Sequence, residues 1–96
     1  MAISSAQRRL LRQQAHHLKP VVTLGQQGLT AAVLHELNIA LDHHELLKVK
    51  INGADRTARA ALISAIAEQC TAEVVQHIGH TASFYRANPN PLSTDG

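Results

Sequence analysis

Leu18–Thr30 reads Leu-Lys-Pro-Val-Val-Thr-Leu-Gly-Gln-Gln-Gly-Leu-Thr and sets the order of strand, turn and helix in this chain. The apolar run Val21–Leu24 predicts a short buried strand that stops at Gly25, and a helical pattern begins at Thr30. The two glycines of the turn, Gly25 and Gly28, have no Cβ atoms to hold a ligand away from the backbone. The turn leads into a helix N-terminus, where free N–H groups and the helix dipole favour an anion. The stretch therefore has two interpretations, a plain strand-to-helix turn or a phosphate-binding loop.

Helical and strand-like patterns alternate on both sides of this turn. In chain order they first predict a helix from Ser4 or Ser5 to about His17 and the strand Val21–Leu24. A helix capped by Thr30 and running to about Asp42 follows, and then the strand Leu46–Ile51. The last elements are a helix capped by Asp55 and running from Arg56 to about Cys70, and the strands Val74–Ile78 and Thr81–Tyr85, joined at Gly79-His80. Each β-α-β unit predicts parallel neighbouring strands, and the final hairpin adds an antiparallel one. The order α-β-α-β-α-β-β predicts an α/β fold, a two-layer sandwich with a four-stranded mixed sheet.

The second strand shows how the sheet is oriented. Leu47, Val49 and Ile51 alternate with Lys48 and Lys50, so the apolar and basic side chains point to opposite faces. We expect one face to pack on helices and the other to be at least partly solvated and basic.

Length and composition describe one domain with few aromatic side chains. The 96 residues, 45% of them hydrophobic, suit a single domain, which we place at residues 1–87, with a disordered tail at 88–96. Phe84 and Tyr85 are the only aromatic residues, too few for a base-stacking platform. The single cysteine, Cys70, suits a reducing cytosol, and neither a signal peptide nor a membrane-spanning run is present. We therefore expect a cytoplasmic protein with no membrane partner.

The placement of the cations is more informative than the net charge of +2. Residues 1–35 contain basic residues but no acid, and further cations follow on the second strand and after the last one. The basic residues concerned are Arg8, Arg9, Arg12, Lys19, Lys48, Lys50 and Arg86. One basic surface meeting the glycine turn would bind phosphate, whereas scattered cations would only be solvated. The residues alone leave both possibilities open.

Other chemistry finds little support in the sequence. The seven histidines lack an H-x₃-H pair and have no cysteine cluster beside them, so no metal site is expected. The chain has no G-x-S-x-G elbow, and its glycine turn lacks both the Gly-Lys-Ser/Thr ending of a nucleotide P-loop and the third glycine of a dinucleotide fingerprint. We therefore expect no cofactor, no small-molecule substrate and no catalysis.

Two longer stretches carry a resemblance to a known family. The runs His17–Thr30 and Ala40–Ile51 closely resemble the bacterial YhbY proteins, stand-alone members of the CRM RNA-binding domain family, and Ile78-Gly79 and Tyr85-Arg86 resemble the family's final hairpin. The resemblance covers about residues 4 to 87. It implies a fold similar to the C-terminal domain of translation initiation factor three and RNA binding through the G-x-x-G loop and a basic surface.

Carried onto this chain, the resemblance implies an RNA-binding loop of Gly25, Gln26, Gln27 and Gly28, flanked by Lys19. Further cations stand on positions that match the family: Lys48, Lys50 and Arg86. It further implies association with precursors of the large ribosomal subunit. We therefore expect a monomeric, non-catalytic RNA-binding protein that binds rRNA and assists large-subunit assembly. Two alternatives are a protein-interaction module whose basic surface binds an acidic partner and, with less support, a hydrolase that uses the histidines.

Overall fold

The computed structural model describes residues 3–87, so the tail predicted at 88–96 lies outside the described residues. Along the chain the elements are α1 (Ser5–Ala15), β1 (Val22–Leu24), α2 (Ala31–His44), β2 (Leu46–Ile51), α3 (Arg56–Gln69), β3 (Glu73–Ile78) and β4 (Thr81–Tyr85). This is the predicted order, and every boundary lies within two residues of its predicted position. Within residues 3–87, no helix has the length and apolar character needed to cross a membrane.

The three helices begin at the residues that the sequence predicts as caps. The side chains of Ser4, Thr30 and Asp55 each accept a hydrogen bond from the backbone N–H three residues further on, over 3.1, 3.2 and 2.8 Å respectively. Each cap satisfies one of the N–H groups that a helix leaves free in its first turn. The helix starts are therefore set locally by these short polar side chains.

The four strands form one mixed sheet in the order β1-β2-β4-β3. Strand β1 is parallel to β2, whereas β4 is antiparallel to both β2 and β3. The predicted mixed sheet is confirmed, but the expectation that each β-α-β unit gives parallel neighbours is wrong for β2 and β3, because β4 lies between them. Burial explains this order. Consecutive residues of β4, from Ala82 to Phe84, are buried, while β3 ends in the exposed residues His77 and Ile78, which suit an edge strand.

The main core lies between one face of the sheet and helices α2 and α3. Leu47, Val49 and Ile51 of β2 are each at most 1% exposed, and Phe84 of the neighbouring strand is fully buried. The helices contribute buried apolar residues to the same cluster, namely Leu37, Leu41, Ile63 and Ile66. The predicted apolar face of β2 is thus the core face.

Helix α1 lies against β2, β3 and β4 and covers part of the opposite face. Leu11 and Ala15 are 6% and 0% exposed, whereas the neighbouring Leu10 is 55% exposed. At the end of the helix His16 and Lys48 line the same small cavity, so the lysine face of β2 is the face that α1 covers. This face is therefore partly shielded, and Lys48 is only half-exposed.

Candidate nucleic-acid interface

The glycine turn after β1 is a tight and accessible loop. The N–H of Gly28 donates to the carbonyl of Gly25 over 3.0 Å, which closes a four-residue turn whose first three residues are exposed. A Cβ atom added at Gly25 would meet no atom within 4 Å, so the backbone there is open to a ligand. Gly28 has a φ of +72°, which favours glycine, so it is needed for the turn itself. The two glycines therefore have different roles, access at Gly25 and conformation at Gly28.

The loop is held in place from both sides. Leu29 packs against the main core, and Gln26 lies so close to Gly53 that a Cβ atom there would be 2.9 Å from the Gln26 side chain. The N–H of Asn52 donates to the carbonyl of Leu24 over 2.9 Å, just before the loop begins. These contacts place the β2–α3 turn directly against the glycine loop.

The β3–β4 turn lies at the same end of the sheet. The N–H of Ile51 donates to the carbonyl of His80 over 2.7 Å, and the pairing of Lys50 with Thr81 brings the hairpin level with the end of β2. We call this end, formed by residues 25–28, 52–54 and 79–80, the loop end. The opposite end, where β2 begins and β4 finishes, is the far end.

Only some of the predicted cations lie near the loop end. Lys50 is exposed and pairs in the sheet with Thr23, two residues before Gly25, so it lies beside the glycine loop. Lys48 is two residues further back on the same face and is half-exposed. Lys19 is exposed and precedes β1, whereas the loop follows β1. The structure therefore brings Lys50 to the loop, with Lys48 behind it.

The arginines of α1 face the sheet near its far end. Arg8 donates through Nη1 to the carbonyl of Val74 and lies 4.0 Å from the Glu73 carboxylate, and Arg12 donates through Nε to the carbonyl of Val75 over 3.3 Å. Val74 lies four residues before the end of β3, or about 13 Å along the strand. Arg8 and Arg12 therefore bind an irregular part of the edge strand, and their side chains do not reach the glycine loop. Arg9, beside Arg8 in the sequence, is exposed.

Arg86 lies at the far end and ties three elements together. Its Nη1 donates to Asn38 Oδ1 over 2.8 Å and to the carbonyl of Cys70 over 2.7 Å. Its Nη2 donates to the carbonyl of Asn38 over 3.1 Å and to Asp42 Oδ1 over 2.9 Å. The guanidinium is thus engaged with α2 and with the end of α3. The predicted RNA contact of Arg86 stays a prediction, but the structure places this side chain in the fold, away from the glycine loop.

The carboxylates are distributed unevenly along the sheet axis. Asp55, which caps α3, lies at the loop end, whereas a larger group of carboxylates belongs to the elements that meet at the far end: Asp42, Glu45, Glu68 and Glu73. Two of these far-end carboxylates form ion pairs, with Arg86 and with Arg8. Arg8 and Arg86 are therefore compensated by carboxylates at the far end.

Two basic residues at the loop end are absent from the sequence-based prediction. Arg56 and Arg59, in the first turns of α3, line a groove of about 450 Å³ together with Ala60, His77 and Gly79. The sequence contains a signal for this basic site, since Arg56 and Arg59 lie at the start of α3 and its first turn holds no acid. Helices prefer acids at that end, because the macrodipole is positive there.

Cys70 and the histidines are the remaining groups that could carry chemistry. Cys70 is buried at the C-cap of α3, and burial raises the pKa of its thiol, although the charge of Arg86 acts in the opposite direction. A thiol with a raised pKa is a poor nucleophile at neutral pH. Within the described part of the chain, no three His, Cys, Asp or Glu residues lie close enough together to hold a metal ion.

Comparison with known proteins points to one family. The model of the CRS1 / YhbY (CRM) domain matches residues 3–86. An RNA-binding protein of Haemophilus influenzae is 50% identical over 84 residues, which cover 88% of this chain and 85% of that protein. A protein of Pseudomonas aeruginosa named as a probable RNA-binding protein is 44% identical over 91 residues, or 95% of this chain and 88% of its own length. The solution structure of a hypothetical protein from Staphylococcus aureus matches with a TM-score of 0.80 and 27% identity, covering 90% of each chain.

Proposed function

The chain belongs to the CRS1 / YhbY (CRM) domain family, and we propose that it is an RNA-binding protein whose glycine loop holds the RNA backbone. Supporting this are the relatives named as RNA-binding proteins. The single observation that carries the proposal is the exposed Gly25–Gly28 turn, with its open backbone at Gly25 and Lys50 beside it.

The proposed mechanism is a backbone clamp. The first turn of α2 begins at Ala31, three residues after the loop, and Thr30 caps one of its free N–H groups. The remaining N–H groups and the positive end of the helix dipole attract phosphate, while Lys50 supplies a full positive charge nearby. Binding of this kind depends on the RNA backbone and its shape, so it discriminates weakly between base sequences.

The positions of the aromatic residues fit weak base discrimination. Phe84 is fully buried in the core, and Tyr85 is half-buried at the far end of the sheet. Neither ring is placed to stack on a base held at the glycine loop, and stacking is the usual means of reading single-stranded bases. We infer that selectivity comes from RNA structure.

The finer part of the proposal concerns the RNA partner. We propose that the protein is a cytoplasmic monomer that binds rRNA in precursors of the large ribosomal subunit and assists assembly without catalysis. The resemblance to YhbY proteins supports this choice of partner. A protein-interaction module that binds an acidic protein is the competing account, and the experiment below separates the two.

The test compares two variants of Gly25, an exposed loop residue at which an added Cβ atom meets open space. Gly25→Asp places a negative charge on the loop where a Cβ atom fits, and Gly25→Asn places a neutral side chain of the same shape there. We expect the Asp variant to bind structured rRNA fragments about 10-fold more weakly than the Asn variant, a difference of about 1.4 kcal/mol. Circular dichroism should show that both are folded. Equal affinities would remove phosphate binding from the loop.

A second arm identifies the partner. The tagged protein is sedimented through a sucrose gradient before and after nuclease treatment of the extract. The proposal is supported if the protein migrates with large-subunit precursors and nuclease treatment abolishes this migration. A discrete protein complex that survives nuclease would favour the protein-interaction module.

A further inference from the structure

The groove between α3 and the β3–β4 hairpin offers a second place for an anion. Its walls carry Arg56 and Arg59 from the helix and His77 and Gly79 from the hairpin. Its volume of about 450 Å³ lies within the range of small-ligand sites, roughly 300–1,000 Å³. The groove is lined by residues different from those of the glycine loop, but it opens at the same end of the sheet.

The two arginines of the groove lack ion-pair partners within the described residues, and the nearby Asp55 carboxylate caps α3 instead. Among residues 3–87, neither Arg56 nor Arg59 forms an ion pair, in contrast to the paired Arg8 and Arg86 near the far end. Like charges three residues apart on a helix repel, and cations at a helix N-terminus also oppose the dipole. This arrangement is unfavourable in the free protein and becomes favourable once an anion enters the groove.

Arg59 is held in position before any ligand arrives. Its Nη1 donates to the carbonyl of Ala54 over 3.1 Å and lies 3.4 Å from His80 Nδ1. Its Nε is buried and, within the described residues, has no hydrogen-bond partner. An orphaned donor on a fixed guanidinium is costly unless it is compensated. A guanidinium fixed in this way can present its remaining N–H groups to a phosphate oxygen without first losing side-chain freedom.

The groove and the glycine loop are connected through the β2–α3 turn. That turn contacts the loop at Gly53, and the hairpin contacts the end of β2 through His80. We propose that the groove is a second phosphate-binding site, which holds the backbone of the same RNA further along from the glycine loop. This inference rests on the proposed function, because it names where the RNA continues after the loop.

The test removes one charge from the groove and compares it with the same change of net charge elsewhere. Arg56 is exposed and caps nothing, so Arg56→Gln should fold normally. The matched control is Gln69→Glu, an exposed site at the far end of α3 that changes the net charge by the same amount. Both variants and the wild type are titrated with single-stranded RNA of about four nucleotides and with RNA three times longer.

We expect Arg56→Gln to weaken binding of the longer RNA about 10-fold, the effect of one charge-assisted hydrogen bond. The slope of log affinity against log salt concentration should be smaller than that of wild type by about 0.7, the share of one phosphate contact on a single strand. The four-nucleotide RNA should bind both variants and wild type almost equally. In an NMR titration the amides of Gly79 and His80 should shift with the longer RNA only.

Two results would overturn the inference. One is equal binding of the longer RNA by Arg56→Gln and Gln69→Glu. The other is an Arg56→Gln salt slope that matches wild type. The proposed function fails separately: if the wild-type protein binds neither of these RNAs nor a structured rRNA fragment, both the loop clamp and the groove are refuted. If wild type binds both RNAs and Arg56→Gln behaves as the control does, only the groove is refuted.

Discussion

Replacing Arg86 with alanine should destabilise the protein severely, because this side chain joins the far ends of α2, α3 and β4. Its guanidinium donates four hydrogen bonds, two of them to the backbone carbonyls of Asn38 and Cys70. The Arg86 side chain is only 20% exposed, whereas its carboxylate partner Asp42 is 71% exposed. The bonds to the carbonyls should therefore contribute more than the ion pair.

The magnitude follows from these contacts. A hydrogen bond to a charged group contributes about 1.5–3 kcal/mol, and removing one partner from a buried charged network costs about 3–5 kcal/mol. Since Arg86 is partly exposed, we expect Arg86→Ala to lower the free energy of unfolding by about 3 kcal/mol. For a domain of this size that corresponds to a fall in Tm of about 12–24 °C. Asp42→Asn removes only the exposed ion pair and should cost at most about 1 kcal/mol.

Urea unfolding followed by circular dichroism measures both variants. A loss below about 1 kcal/mol for Arg86→Ala would refute the structural role assigned to this residue. Equal losses for the two variants would show that the ion pair, and not the bonds to the carbonyls, accounts for the effect. At a temperature where Arg86→Ala remains folded, its salt dependence of RNA binding should equal that of wild type.

Three further predictions concern the glycine loop, the Cys70 thiol and Lys50, which lies beside the loop. Gly25→Ala should raise the free energy of unfolding by about 0.5 kcal/mol because the added Cβ meets open space, whereas Gly28→Ala should lower it by about 1 kcal/mol because of the positive φ. Urea titration distinguishes the two signs, and equal effects would contradict the roles assigned to the two glycines. Burial raises the pKa of the Cys70 thiol above its ordinary value of 9.0, so the thiol ionises at lower pH in the unfolded chain than in the folded protein. The free energy of unfolding should therefore decline as the pH rises past that ordinary value. Cys70→Ala should flatten the decline, and an unchanged decline would assign it to other groups. Lys50→Gln should reduce the slope of log RNA affinity against log salt concentration by about 0.7. A loss of affinity for only one RNA sequence would show that Lys50 contacts a base and not a phosphate.

Local patterns in the sequence predicted most of the elements but not the full sheet order. The alternation of Leu47 to Ile51 and the caps at Thr30 and Asp55 are local signals, and the structure bears them out. The position of β4 between β2 and β3 depends on which strand of the hairpin buries more surface, which is a tertiary property. The consecutive burial of residues 82–84 was the deciding feature.

The cations show a different limit of sequence reasoning. A pattern of charges can suggest a basic surface, but it cannot show that Arg8 and Arg86 are engaged by backbone carbonyls and carboxylates that are distant in the sequence. Val74, a partner of Arg8, lies 66 residues away from it in the sequence, and Asn38, a partner of Arg86, lies 48 residues away. Arg56 is difficult to identify for a different reason, since a charged residue on an exposed helix face is normally only solvated.

One pair of isosteric variants shows whether RNA phosphate meets the loop end of the sheet. Gln27→Glu adds a negative charge to the exposed glycine loop without changing its shape, and Gln69→Glu makes the same change at the far end. A charge about 6 Å from a phosphate repels it by about 0.7 kcal/mol in water and about 2.8 kcal/mol at an effective dielectric constant of 20. The account predicts that Gln27→Glu weakens binding to a structured rRNA fragment about 10-fold, near the middle of that range, while Gln69→Glu stays close to wild type. Equal affinities for the two variants would contradict it.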